Sequence, residues 1–133
     1  MEIKLAGYPD NLSAQQVTIP NGAAVSEMIA TQGRALIGIF TDAAGWTDAA
    51  IGYKTCYTGN ANDLKTVYDS GGNYLQTKVS TDAAAAQVFI AVPQSDTVFA
   101  PFLQLTSRAA GTDNATNQAA DRVLVLLFRN YLN

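Results

Sequence analysis

A polar loop, Gly111 to Asp121, runs straight into Arg122-Val-Leu-Val-Leu-Leu-Phe-Arg129, and this junction limits what the chain can fold into more than any other stretch. Six consecutive apolar residues, Val123 to Phe128, stand between two arginines. They are far too few for a membrane helix, which needs about 20. They fit a strand buried on both faces, under a second sheet or against another subunit. A chain of 133 residues is the size of one domain with one core, able to bury roughly two thirds of its unfolded surface. Only 14% of the residues are charged while 48% are hydrophobic. That balance predicts that part of the apolar surface is sealed in an assembly.

The rest of the chain has the texture of an all-β sandwich or barrel, with short β-favouring runs separated by Gly, Asn, Asp, Ser and Pro clusters. Residues 1–13, with Pro9 and Asn11, read as an extended N-terminal arm or an edge segment, and 14–133 as a single β-sandwich domain. Gln15 to Ile19 alternates before the turn Pro20-Asn-Gly22, and Val25 to Ala30 is a short strand or a single helical turn. Ala35 to Phe40 reads as a buried strand in which Gly38 permits close approach of a group packed over it. Asp42 to Asp48 turns the chain around Trp46, expected to plug the end of the core. Ile51, Tyr53, Thr55 and Tyr57 then alternate as a half-buried strand does.

A hairpin follows, made of Lys65 to Tyr68, the turn Asp69-Ser-Gly-Gly72, and Tyr74 to Val79. Alternation sets Leu75, Thr77 and Val79 on one face and Tyr74, Gln76 and Lys78 on the other. Ala83 to Ala86 form a helical turn or lead into the strand Val88 to Val92, which Pro93 ends. A loop through Phe99 and Pro101 reaches the strand Phe102 to Arg108. With the terminal run this makes about eight strands, read as two packed sheets of a jelly roll.

Little in the composition supports catalysis. The chain has no histidine, which removes the commonest general base, the usual nucleophilic triads and most zinc sites. Eleven carboxylates remain, nine of them aspartates suited to turns. Asp42 and Asp48 flank Trp46 and are the nearest approach to a glycosidase pair. The chain is therefore expected not to be an enzyme and to carry no cofactor or metal. Asn60-Ala-Asn62-Asp63 and Asp113-Asn114 with Asn117 and Asp121 hold oxygen ligands without the spacing of an EF-hand.

Cys56 is the only cysteine, so no disulfide within the chain is possible, and its strand setting reads as a structural thiol. The net charge of −3, with eight scattered basic residues, argues against a nucleic-acid partner. Met1-Glu-Ile-Lys-Leu lacks the pattern of a signal peptide and no window suits a membrane span, so synthesis and assembly in a cytoplasm are expected. Tyr53, Tyr57, Tyr68 and Tyr74 are expected at the edge of the core or in a subunit interface, with a sugar-stacking stripe as the alternative.

Four marks, in order along the chain, carry a resemblance that covers Gln15 to Arg129. They are Val17-Thr-Ile-Pro-Asn-Gly22; Leu36-Ile-Gly-Ile39 leading to Gly45-Trp-Thr-Asp-Ala-Ala-Ile51; Val67-Tyr-Asp-Ser-Gly-Gly72; and Asn117-Gln-Ala-Ala-Asp-Arg122 entering the apolar terminal strand. Together they resemble a family of small jelly-roll virion proteins of tailed phages, akin to capsid cement or decoration proteins. The segment Tyr57 to Leu64 and the longer leader depart from that family's pattern. The resemblance implies a homo-oligomer, dimer or trimer, that binds the major capsid protein and stabilises the expanded shell on the virion surface. The loops Thr41 to Ala49 and Ala109 to Asp121 are the expected contacts, with Trp46, Asp48, Asn114, Asn117, Gln118 and Arg122 as partner-binding residues. The alternative is a carbohydrate- or receptor-binding β-sandwich of a tail or head-tail connector, with Trp46 and Tyr53 or Tyr57 as a stacking platform.

Overall fold

A computed structural model of the chain describes residues 2–3, 11–41, 46–47, 49–79, 88–92 and 101–130. The described residues form two packed antiparallel sheets, a β-sandwich. The first sheet holds β1 (Glu2–Ile3), β2 (Leu12–Ile19), β10 (Arg122–Asn130), β4 (Arg34–Thr41) and β8 (Val88–Ala91), side by side in that order. The second runs β3 (Val25–Ala30), β9 (Phe102–Arg108), β5 (Ala50–Cys56), and along the far edge of β5 lie both β6 (Lys65–Thr66) and β7 (Gln76–Lys78). From β2 to β5, and again from β7 to β10, the chain changes sheet at every step. Each layer therefore needs the other to close.

Period-two patterning places the core between the layers. Val17, Ile19, Leu36, Ile39, Leu124, Leu126 and Phe128 from the first sheet meet Ile29, Ile51, Tyr53, Leu103 and Leu105 from the second. Leu36 and Ile39 are three apart yet both point inward, because β4 bulges opposite Leu127 and Phe128 and absorbs one extra residue at Ile37. The expected glycine contact is present: a Cβ on Gly38 would collide with the Phe89 ring, which rests over it. Trp46 is buried with the core, as a plug requires.

β10 departs from the expectation of burial on both faces. Leu124, Leu126 and Phe128 are fully buried, but Val123 is 45% exposed and Val125 and Leu127 are only partly covered. The run is central in its sheet, yet a second sheet covers only one of its faces. The sandwich itself thus leaves the outer side of this apolar strand open.

Several local expectations shift in detail. Leu12 and Ser13 already belong to β2, and Glu2 and Ile3 pair with Gln15 and Ala14, so the N-terminal arm is partly sheet. Val25 to Ala30 is a strand rather than a helical turn. The expected hairpin narrows to a single bridge, Tyr68 to Tyr74, because β6 and β7 each pair with β5 and not with each other. The readings on Asp42 to Gly45, Asp48, Ala83 to Ala86 and Phe99 lie outside the described residues.

At the Asn130 end of β10, Arg34 is buried with its guanidinium 4.3 Å over the Phe128 ring. It donates to the carbonyls of Thr31 (2.7 Å) and Ala30 (3.0 Å), to Ser13 Oγ (3.1 Å) and to Gln15 Oε1 (3.1 Å). A cation so placed replaces its lost water with fixed oxygens and a ring face. Cys56 is buried too, its Sγ 3.8 Å from Met28 Sδ.

Tyr53 lies fully inside, its hydroxyl 2.6 Å from Thr77 Oγ1. Burial pushes this phenol far above the ordinary 10.0, and the Thr77 hydrogen bond opposes the shift only in part. Above the ordinary value the unfolded chain releases a proton that the native protein keeps, so stability falls as the pH rises past about 10. Urea unfolding of Tyr53→Phe is expected to show a shallower alkaline decline than the parent protein. Identical declines would show that another group governs it.

Candidate functional site

Three of the four sequence marks meet at the end of the sandwich where β10 begins. The turn between β2 and β3 closes through Ala23 N to Pro20 O (3.0 Å), with Gly22 at φ 77°, a conformation glycine adopts without strain. The loop before β10 is stitched to it: Gly22 N donates to Gln118 O (2.7 Å), Gln118 N to Ala23 O (3.0 Å), and Asn21 N to Asp121 Oδ1 (2.8 Å). The Gln118 side chain, 1% exposed, reaches a third segment. Its Oε1 accepts from Thr47 N (2.9 Å) and Arg122 Nε (3.0 Å), and its Nε2 donates to Ser107 Oγ (2.9 Å) and Thr47 O (3.3 Å). The Arg122 guanidinium lies 5.8 Å from the Trp46 ring.

The structure therefore gathers Trp46, Gln118 and Arg122 into one cluster, but Trp46 and Gln118 are interior and Arg122 is half-buried. Trp46 and Gln118 thus hold the loops from inside, and of the three only Arg122 reaches the surface. Asn114 and Asn117 are exposed on the same loop, and Asp48 lies outside the described residues.

The described aspartates have local partners. Asp63 accepts from Thr58 Oγ1 (2.6 Å); Asp69 Oδ1 from Gly71 N and Asn73 N (both 2.9 Å); Asp113 from Thr66 Oγ1 (3.0 Å), with Arg108 Nε 3.3 Å away. Asn60 caps a short 3-10 turn, Ala61–Asp63, by accepting from Asn62 N. Asp63, Asp69 and Asn60 thus fill the turn and cap roles that Asx side chains favour, while Asp113 ties its loop to β6 and β9. Among the described residues no three His, Cys, Asp or Glu side chains gather to hold a metal.

Among the described residues two surfaces, besides a groove at Tyr57, could receive a partner. The first is the outer face of the first sheet. Across it run Gln16, Val125, Phe40 and Phe89 in one cross-strand row, and Ala14, Leu127, Gly38 and Ala91 in another, where Ala14 is buried and Leu127 half-buried. Phe40 is 37% and Phe89 47% exposed, their rings 4.6 Å apart, with Val123, 45% exposed, further along the same face. Neither row contains a charged residue. Sequence reading missed this face because it counted Phe40 and the β10 valines as core. The only available signal was the surplus of apolar residues over what a one-sided strand needs.

The second surface is the hairpin 67–75, an excursion from the edge of the second sheet. Tyr68, 55% exposed, packs on Tyr74 with ring centroids 5.1 Å apart at 31°. A hydrogen bond to Tyr74 and that ring's own charge hold the Tyr68 phenol above its ordinary value. The four tyrosines do not form one stripe: Tyr53 is internal, while Tyr57 is 82% exposed just beyond β5. Beside Tyr57 lies a groove of about 350 Å³ lined by Thr55, Cys56, Tyr57, Thr58, Asp63 and Lys65.

No protein-family model, no curated protein and no solved structure matches the chain.

Proposed function

We propose that the chain is a structural protein of a tailed-phage virion, a capsid cement or decoration protein that binds the major capsid protein and stabilises the expanded shell. The observation that carries this reading is the open apolar face of the first sheet, with Phe40, Phe89 and Val123 exposed across three strands. An aromatic patch of sheet whose charge, Arg129, lies only toward the far end of β10 is the kind of surface that becomes the dry centre of a protein interface. The strand order supports the finer fold reading. Setting β1 aside and joining β6 to β7, the sheets run β2-β10-β4-β8 and β3-β9-β5-β7, the interleaving of a jelly roll, an architecture that recurs in viral capsid and lectin domains. The marks of the phage-protein resemblance add to this, since three of them build the corner around Gln118.

In this role the protein sits on the capsid surface as a dimer or trimer, and many modest contacts add up because each copy touches more than one neighbour. Co-sedimentation with expanded shells lacking the protein is expected to saturate at a fixed number of copies per capsid subunit and to raise the shell's resistance to heat. Absence of binding at every ratio would end the cement reading. The groove at Tyr57 favours a second reading, a carbohydrate-binding module, in place of the platform around Trp46 and Tyr53, which are interior. Under that reading binding to immobilised glycans depends on Tyr57, and shells are ignored.

A further inference from the structure

We infer that the hairpin 67–75 is a preformed protein-recognition tip that grips a second capsid subunit while the apolar face of the first sheet holds another. The inference rests on the cement reading and adds to it a second, separate point of attachment.

Composition is the first support. From Tyr68 to Tyr74 the tip reads Tyr-Asp-Ser-Gly-Gly-Asn-Tyr. Tyrosine supplies broad amphipathic contact area with only two side-chain torsions to freeze, while Ser, Gly and Asn supply adaptable hydrogen bonds, the mixture that antibody loops use. Tyrosine is also enriched among the residues that dominate interface energies. A tyrosine pair at a turn, with Tyr68 exposed and Tyr74 half-buried beneath it, is poorly explained by the needs of the core, which already has Tyr53.

Rigidity is the second support. Asp69 Oδ1 accepts from both Gly71 N and Asn73 N, while Asp69 N donates to Asn73 O (2.8 Å) and Gly72 N to Asp69 O (3.1 Å). The base is tied down as firmly: Val67 N donates to Tyr53 O (3.0 Å) and Leu75 N to Val67 O (3.0 Å). Gln76 bridges to the loop before β10, donating to Thr112 O (2.6 Å) and accepting from Gly111 N (2.8 Å), and Thr66 bonds Asp113. A tip held in this way loses little conformational freedom on binding, which raises affinity.

The geometry also selects the partner. The two rings pack against each other at 31°, which covers one face of each and leaves no coplanar pair of faces for a sugar to stack across. Asp69 is the only charged residue between Val67 and Leu75. The fitting surface is therefore a neutral or basic, hydrogen-bonding patch of protein. Because the tip belongs to the second sheet and the apolar face to the first, one copy can touch two subunits, which is what clamping a shell requires.

Expanded shells lacking the protein are the probe, with co-sedimentation and shell heat resistance as readouts. Tyr68→Ala, at an exposed position, is expected to melt like the parent, to bind shells at least tenfold more weakly, and to lose most of the protection against heat. Asp69→Ala, which keeps both rings but frees the turn, is expected to weaken binding several-fold. Tyr68→Ala that binds and protects like the parent overturns the tip and leaves the cement reading standing. A parent protein that binds no shells overturns both. If instead Tyr68→Ala loses binding to immobilised glycans while shell binding is intact, the tip is a saccharide site and the inference fails.

Discussion

Replacing Gln118 by alanine is expected to destabilise the fold by about 3 kcal/mol and to lower the thermal midpoint by roughly 10 °C. The carboxamide is a hub for four hydrogen bonds, to both backbone groups of Thr47, to Ser107 Oγ and to Arg122 Nε. Truncation leaves those groups facing a cavity. A buried polar group without a partner costs about 1–3 kcal/mol, and water entering the cavity would recover part of the sum. Gln118→Glu separates the contributions. It keeps an acceptor for Thr47 N and adds a carboxylate beside Arg122, but it cannot donate to Thr47 O, so at neutral pH its loss should be the smaller. Urea and thermal melts of both variants provide the test. A loss under about 1 kcal/mol for the alanine variant would mean that the backbone bonds from Gly22 and to Ala23 hold the corner by themselves.

That corner also shows where sequence reading reaches its limit. Strand positions were legible because a strand with one covered face writes its burial into a period of two, as at Gln15 to Ile19, Phe102 to Arg108 and the alternation around Tyr53. Gly38 was legible as a close approach, although not that Phe89 would fill it. β10 misled for a physical reason: when both faces are apolar the alternation disappears from the sequence, and only the strand order tells which face a second sheet covers. The site was legible only as a set. Trp46, Gln118 and Arg122 were singled out together and do come together, yet 71 positions separate Thr47 from Gln118 in their hydrogen bonds. Whether such polar residues face a partner or each other depends on how the sheets stack, which local pattern does not encode. The outer face was invisible for the same reason, since Phe40, Phe89 and Val125 become neighbours only through the register of β8, β4 and β10.

On that face, Phe89→Asp is expected to reduce shell affinity by about 100-fold or more, a loss near 2.7 kcal/mol, with the melting curve nearly unchanged. Phe89 lies on the short strand at the sheet's edge and is 47% exposed, so the fold has little to lose from its removal. Its ring nevertheless rests over Gly38 and packs against Phe40, which holds it in place before any partner arrives. A partner docking there gains from burying a pre-positioned aromatic. Under the proposed role, aspartate at the same position would force a carboxylate against apolar atoms, adding a desolvation penalty to the lost contact. Val123→Asp, further along the same face and 45% exposed, should behave alike if the whole face docks. Should it bind normally while Phe89→Asp fails, the contact is confined to the Phe40–Phe89 end. If both bind shells as the parent does, the apolar face is not the capsid-binding surface, and the cement reading would have to rest on the hairpin alone.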